Sequence, residues 1–252
     1  MPTTISMSIQ LHIHPTIDAA IKKVAQEIIT LIHHKPDAVL GLATGSTPIP
    51  LYQELVRRFK LGEVSFKQVT TFNLDEYQCI DRTHPESYWN FMHRHFFNHV
   101  DMLASRIHLP GSRVEPLELA RHCQEYEDQI KAVGGIDYQI LGIGRTGHIG
   151  FNEPGSPMDC RTRRIHLDEI TRQDAAPAFG DLLHVPTHAI TMGCGTILEA
   201  KHISLLAFGS KKAAIVREAM LGPITDQISA SFLQKHPSAA FHLDHGSAAE
   251  LS

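Results

Sequence analysis

The sequence predicts an α/β fold, a mainly parallel sheet with helices on both faces, and three observations point there. Short apolar runs alternate with amphipathic stretches, which is how strands joined by crossover helices read. Most of the strand candidates are near-continuous apolar runs, as strands covered on both faces must be. The chain has 252 residues, 42% hydrophobic and 20% charged, enough apolar material for a sizeable core within one domain spanning 1–252.

The strand candidates are Val39 to Ala43, Val69 to Leu74, Tyr138 to Ile143, Ile190 to Met192 and Ile203 to Phe208. Helical patterns cover Ile17 to Ile32, Ile49 to Leu61, Ser87 to Phe97, Leu117 to Val133 and Lys211 to Leu221. Gly134 and Gly135 supply a left-handed stop to the fourth helix, and Pro48 suits the first turn of the second. No repeat, low-complexity tract or linker divides the chain. The stretch 152–178 is the least regular, and a lid or active-site excursion is expected there.

Bulk properties exclude several classes of partner. A net charge of −4 offers no basic field for nucleic acid or an anionic membrane. Cys79, Cys123, Cys160 and Cys194 form no CxxC pair, so reduced structural thiols are expected. The segment Met1 to His14 lacks the pattern of a signal peptide and no run is long enough to span a bilayer, which makes the cytoplasm the expected location. Of the 18 histidines, His93, His95 and His99 fall in one helical pattern, with His95 and His99 on a shared face. No HExxH arrangement accompanies them and Phe91, Phe96 and Phe97 flank them, so a packed helix is expected and no metal.

In an open α/β sheet, ligands bind beyond the carboxyl ends of the strands. Three loops there carry chemistry. Gly41-Leu42-Ala43-Thr44-Gly45-Ser46-Thr47-Pro48 leads from a strand into a helix through a small, hydroxyl-rich turn. Its free N–H groups, the helix dipole and the hydroxyls of Thr44, Ser46 and Thr47 suit a phosphate, with Gly45 allowing close approach. An ordinary capped helix start reads the same way. The first loop carries neither a Walker A lysine nor a GxGxxG fingerprint; the third loop has that spacing at Gly142, Gly144 and Gly147, but it follows a later strand and runs into a poor helix start, which argues against a dinucleotide site. The strand from Val69 ends in Asp75-Glu76-Tyr77. A carboxylate at a strand end, Asp75 being the nearer, could move a proton from C2 to C1 of a sugar, the step between aldose and ketose. The third loop, Gly142 to Gly155, delivers His148 into a glycine-rich turn, with Glu153 placed to orient it. Lys212, just after a strand, reads as a phosphate ligand or as a solvated helix residue.

Together these loops resemble the glucosamine-6-phosphate deaminase (isomerase) family. The resemblance rests on Leu42-Ala43-Thr44-Gly45-Ser46-Thr47-Pro48, Thr71-Phe72-Asn73-Leu74-Asp75-Glu76-Tyr77, His84-Pro85-Glu86-Ser87-Tyr88, Gly147-His148-Ile149-Gly150-Phe151-Asn152-Glu153-Pro154 and Gly209-Ser210-Lys211-Lys212-Ala213. It covers nearly the whole chain in the expected order. It implies a single Rossmann-like domain that turns glucosamine 6-phosphate and water into fructose 6-phosphate and ammonia, with no cofactor. By resemblance, Asp75 is the enolisation base, His148 assists ring opening and Glu153 is its carboxylate partner. Thr44, Gly45, Ser46, Thr47 and Lys212 match phosphate-binding positions.

Two positions depart from the family pattern. Thr146, counted here among the substrate-binding residues, stands where the family usually has Asp or Asn, and Pro177 where many members have a phosphate-gripping Arg. Arg172 lies near the latter and is read as a surface residue. Allosteric members use a basic residue and a C-terminal tyrosine; Ile165 and an end at Ser252 lead us to expect neither. Two rivals remain. A 6-phosphogluconolactonase-like hydrolase would prefer Asp-Glu-Arg where this chain has Asp75-Glu76-Tyr77. A non-catalytic sugar-phosphate sensor would use the same fold without turnover. The expected partner is thus a small sugar phosphate, with no nucleic acid or membrane, and assembly into a homo-oligomer is left open.

Overall fold

A computed structural model describes residues 9–251. The N-terminal reading over Met1 to His14 therefore lies partly, and the terminus at Ser252 wholly, outside the described residues. In chain order the strands and helices are β1 (Gln10–His14), α1 (Ile17–His34), β2 (Val39–Leu42), α2 (Ile49–Lys60), β3 (Thr70–Asn73), β4 (Asp75–Tyr77), α3 (Tyr88–His95), β5 (Ile107–His108), α4 (Leu119–Ala132), β6 (Tyr138–Leu141), β7 (Arg163–His166), α5 (Glu169–Phe179), β8 (His188–Thr191), α6 (Cys194–Leu198), β9 (Ile203–Ala207), α7 (Ala213–Leu221) and β10 (Ala239–Asp244).

Seven strands form one parallel sheet in the order β1-β10-β9-β6-β2-β3-β5. β2, β3, β6 and β9 are buried along their whole length, which is why they read as apolar runs. The start of α1 and the stop of α4 carry clear local signals. Thr16 caps α1 by accepting from the Ala19 N–H at 3.1 Å. Ala20, Ile21, Val24, Ala25, Ile28, Ile29 and Ile32 then recur on one face of that helix and are buried. At the end of α4, the Gly134 N–H donates to the Lys131 carbonyl and the Gly135 N–H to that of Ile130, both at 3.0 Å. Both glycines have positive φ, the geometry of a Schellman stop.

A second, three-stranded antiparallel sheet, β4-β8-β7, differs from expectation. Ile190 to Met192 was expected in the parallel sheet, yet β8 pairs with β4 and β7. The chain leaves the large sheet at Leu74, whose N–H still donates to the Leu42 carbonyl while its own carbonyl accepts from the Met192 N–H. A small cluster of Tyr77, Ile80, Phe151, Leu167 and Ala189 fills beneath this sheet. The stretch 152–178, expected to be irregular, holds β7 and most of α5. Nor do His95 and His99 share a helix face, because α3 ends at His95 and His99 lies in a separate short turn.

At the other end of the large sheet Asp137 clamps three strand starts. Its carboxylate, 5% exposed as a residue, accepts from Lys35 Nζ at 2.7 Å, Lys201 Nζ at 2.7 Å and the Val39 N–H at 2.8 Å. These groups lead into β2, β6 and β9, which are adjacent in the sheet. Burial pushes the Asp137 carboxyl up, but Lys201, Lys35 and the N–H together hold it below its ordinary 3.8. A depressed folded-state value means stability that is present above the unfolded pKa and is lost as pH falls through the folded one. Asp137→Asn should therefore cost about 2 kcal/mol near neutrality. Denaturant melts at about pH 7 and about pH 3 test this, since the gap from wild type should close in acid. An equal loss at both would show that packing, not charge, holds these strands.

Candidate active site

In strand order the chain steps from β2 outward to β3 and β5, then crosses back to β6, β9 and β10 on the other side. β2 and β6 are neighbours whose following loops diverge, so a crevice opens at their carboxyl ends. A cleft of about 230 Å³ lies there, lined by the first loop from Ala43 to Thr47, by Leu74, Asp75 and Tyr88, and by parts of the third loop that include His148.

The first loop presents backbone and hydroxyl donors. Gly45 has φ +98°, a left-handed conformation that a side chain would strain. No side chain caps the start of α2, so its first N–H groups stay open to a ligand. Behind the loop, the buried Tyr52 hydroxyl donates to the Ala43 carbonyl at 2.5 Å. Within the cleft, the Tyr88 ring packs on Tyr77 with centroids 4.9 Å apart.

Strand alternation separates the two acids of the second loop. Asp75 lines the cleft. Glu76 points the other way, where its carboxylate accepts from the N–H groups of Tyr77 at 2.9 Å, Tyr88 at 3.0 Å and Trp89 at 2.9 Å. Tyr88 and Trp89 open α3, so Glu76 holds a helix N-terminus, where a negative charge is favoured. Asp75 has no such support. Burial pushes its carboxyl up to about 8, the neighbouring charge of Glu76 adds to the shift, and only the Phe151 N–H opposes it.

His148 enters the cleft through a turn that only glycine permits at Gly144. A Cβ there would lie 2.2 Å from His148 Nε2, so the ring rests directly on that backbone. On the far side of the ring, Nδ1 hydrogen-bonds with Thr146 Oγ1 at 2.9 Å, and Glu153 Oε2 stands 3.2 Å away. The hydroxyl holds the hydrogen-bonding position and the carboxylate sits beside it. Burial pushes the Glu153 carboxyl up, but His148 beside it and the Asp168 N–H leave it below the ordinary range.

Asn152 sets the third loop. Its side-chain amide donates to the carbonyls of Ile149 and Met192, both at 2.9 Å, and its oxygen accepts from Arg163 at 2.8 Å. Ser229 adds a bond from its hydroxyl to the Asn152 carbonyl at 2.9 Å and accepts from the Ile149 N–H at 3.1 Å. Thr191 accepts from the Phe151 N–H at 3.1 Å and pairs with Asp75 across the small sheet.

Of the site residues expected from sequence, Thr44, Gly45, Ser46, Thr47, Asp75 and His148 line the one cleft. Thr146 and Glu153 reach it through His148. Lys212 lies behind the third loop, its ammonium donating to the Ile143 carbonyl at 2.7 Å. Burial pushes that amine below its ordinary value. Arg172 turns away to the carbonyls of Leu182 and Val185 at 3.0 and 3.1 Å, and Pro177 sits inside α5. Sequence reasoning passed over Tyr88, Asn152, Arg163 and Thr191 as site-builders. Tyr88 and Asn152 stood in quoted motifs, but nothing local to them shows which group they hold.

The three histidines singled out near α3 have other partners. His93 hydrogen-bonds with Asn98 at 3.0 Å, His99 with the Arg94 carbonyl at 2.9 Å, and His95 packs on Phe91 with ring centroids 4.6 Å apart. Among the described residues no cluster of three or more His, Cys, Asp or Glu side chains is arranged to hold a metal ion.

Comparison with known proteins follows the same lines. The family described as glucosamine-6-phosphate isomerases/6-phosphogluconolactonase matches residues 14–247. A glucosamine-6-phosphate deaminase of Lysinibacillus sphaericus is 48% identical over 223 residues, covering 88% of this chain and 93% of that one. Glucosamine-6-phosphate deaminase 2 of Bacillus subtilis is 50% identical over 222 residues, covering 87% and 88%. The solved structure of a monomeric glucosamine-6-phosphate deaminase superposes with a TM-score of 0.92 at 40% identity, covering 96% of this chain and all of that one. The 6-phosphogluconolactonase of Trypanosoma brucei superposes at 0.79 with 18% identity, covering 98% of this chain and 100% of its own, a likeness of fold alone. With a family match over nearly its whole length and relatives near half identity, the chain belongs to the glucosamine-6-phosphate isomerase/6-phosphogluconolactonase family.

Proposed function

We propose that the chain is a cytoplasmic glucosamine-6-phosphate deaminase, converting glucosamine 6-phosphate and water to fructose 6-phosphate and ammonia. The observation that carries this reading is the convergence, in one cleft, of an anion-binding loop, a buried carboxylate and an oriented histidine. The names of the relatives support it.

The phosphate is taken by the N–H and hydroxyl groups from Thr44 to Thr47 at the open start of α2. Lys212, half-buried behind the third loop, adds positive charge. His148, oriented by Thr146 and Glu153, moves a proton between the ring oxygen and the C1 hydroxyl, opening the sugar. Asp75 then removes the C2 proton, giving an enolamine, and returns it at C1, giving an imine at C2; water adds to that carbon and ammonia leaves. The segment 152–178 covers the cleft in this scheme, α5 being tied to the third loop by the Arg145–Asp174 pair at 3.3 Å. A lactonase draws support from fold alone; a sensor would bind the sugar phosphate and release no ammonia.

Asp75→Asn should keep sugar-phosphate binding and lose about 10²–10⁴ in turnover, because the amide keeps the shape and cannot accept a proton. Ammonia release and exchange of the C2 proton with solvent measure this. Exchange at the wild-type rate would assign the base elsewhere.

The pH profile offers a second test. A base must be deprotonated, so kcat/KM should fall as pH drops through about 8, the value burial imposes on Asp75 in the free protein. The substrate's C2 ammonium, bound beside Asp75, favours the carboxylate, so the same limb in kcat should lie at lower pH. Coincident limbs would mean that the ammonium does not face Asp75.

A third test uses the contact between Thr146 and His148. Thr146→Asp puts a carboxylate where the hydroxyl meets Nδ1, which stabilises imidazolium and should move the histidine-dependent limb to higher pH. Thr146→Asn adds no charge and should leave it nearly in place. Should both variants titrate as wild type, the Thr146 contact does not govern the histidine.

A further inference from the structure

Two cysteines meet behind the third loop. The Cys194 N–H donates to Cys160 Sγ at 3.2 Å. Their backbones touch: the Gly195 N–H donates to the Cys160 carbonyl at 2.9 Å, and a Cβ on Gly193 would fall 2.1 Å from that carbonyl oxygen. Cys160 is half-buried, whereas Cys194 is wholly buried. Cys160 Sγ also lies 3.6 Å from Asn152 Oδ1. Asn152 in turn sets the turn between His148 and Glu153. The other two thiols have no such placement, Cys79 being exposed and Cys123 buried within α4.

We propose that Cys160 and Cys194 form a peroxide-reactive dithiol that closes reversibly to a disulfide and, through Asn152, lowers the activity of the cleft. The Cys194 thiol, followed by the N–H groups of Cys194 and Gly195 and the Arg163 guanidinium, holds the Cys160 thiol below its ordinary value against the effect of burial. The Cys160 thiolate attacks one oxygen of hydrogen peroxide. An S–O bond forms as the O–O bond breaks, and the departing hydroxide takes up the proton that the thiol released, leaving as water. Sulfur is oxidised by two electrons and the peroxide reduced. The Cys194 sulfur then attacks the resulting sulfenic acid: the S–S bond forms, the S–O bond breaks, and the leaving hydroxide takes the Cys194 proton as a second water. Closure withdraws the Cys160 S–H from Asn152 and draws together the two backbone segments that flank Arg163 and Met192, both partners of the Asn152 side chain.

The test treats the full chain with hydrogen peroxide, blocks free thiols and maps cross-linked peptides under non-reducing conditions, with ammonia release from glucosamine 6-phosphate followed in parallel. A peptide pair joining Cys160 to Cys194 is expected, with turnover falling about tenfold or more and recovering on addition of dithiothreitol. Cys160→Ser should keep its turnover through the same exposure. Cys194→Ser should accumulate a dimedone-reactive sulfenic acid at Cys160. Oxidation of Cys160 without a link to Cys194 overturns the pair; a link that leaves turnover unchanged overturns the coupling to the cleft. The coupling rests on the deaminase reading. If the reduced protein releases no ammonia at all that reading fails, while the cross-link map still decides the pair.

Discussion

A carboxylate held in the interior without a countercharge is the constraint around which this molecule is arranged. Among the described residues Asp75 makes no ion pair; desolvation raises it, Glu76 beside it raises it further, and one backbone N–H offsets only part of the shift. The sign of the linkage is unfavourable. A folded-state value above the ordinary 3.8 means that stability is full below that value and falls as pH rises through about 8. Other buried carboxylates work in the opposite direction or serve as anchors. Asp137 draws together three strand starts, and Glu127 fastens α4 to the approach to β7 by accepting from the Thr162 N–H at 2.8 Å and the Thr196 hydroxyl at 2.6 Å. Where a buried acid is a liability for folding and an asset for proton transfer, stability and activity trade against each other.

Much of the architecture was legible because burial on both faces writes itself into sequence as unbroken apolar runs. β2, β6 and β9 were found for that reason, and α1 and α4 through their stripe and their stop signal. β10 was missed. His242, fully buried there, breaks the apolar run; desolvation first, then the neighbouring histidines, push its imidazole down to about 3. β7 alternates Arg163, Arg164, Ile165 and His166, the pattern of a half-exposed strand too short to register. α5 carries Pro177 in its interior and only a weak apolar stripe, so propensity argued against a helix that Asp168 caps at one end and Gly180 at the other. The switch of β4 out of the parallel sheet is a tertiary event at Leu74, with no local signature.

The cleft was more legible than its supports. Glycines and hydroxyls after buried strands mark where a ligand approaches the backbone, and those residue types are informative one by one. What positions them depends on contacts between distant segments. Asn152 reaches Met192 and Arg163, Ser229 reaches back to Ile149, and Glu76 reaches forward to the start of α3. Only the alternation of a strand separates Asp75 from Glu76, and that depends on knowing that a strand continues past Leu74.

The likeness of fold to a lactonase at 18% identity shows how little the scaffold alone decides. A parallel sheet with a switch point between β2 and β6 offers any sugar phosphate an anion site at the start of α2. Distinguishing chemistry must come from what the second and third loops bring to it. Here they bring a carboxylate that burial biases toward its neutral form, and a histidine held on one side by glycine and on the other by a hydroxyl and an acid. An amino sugar carries that cation on the carbon whose proton must move, so the ligand supplies the charge the fold withholds. A lactone carries none, and a buried acid near neutrality would gain nothing from its binding. In the proposed reaction the electrostatic state of Asp75, more than the shape of the sheet, favours an amino-sugar phosphate in this cleft.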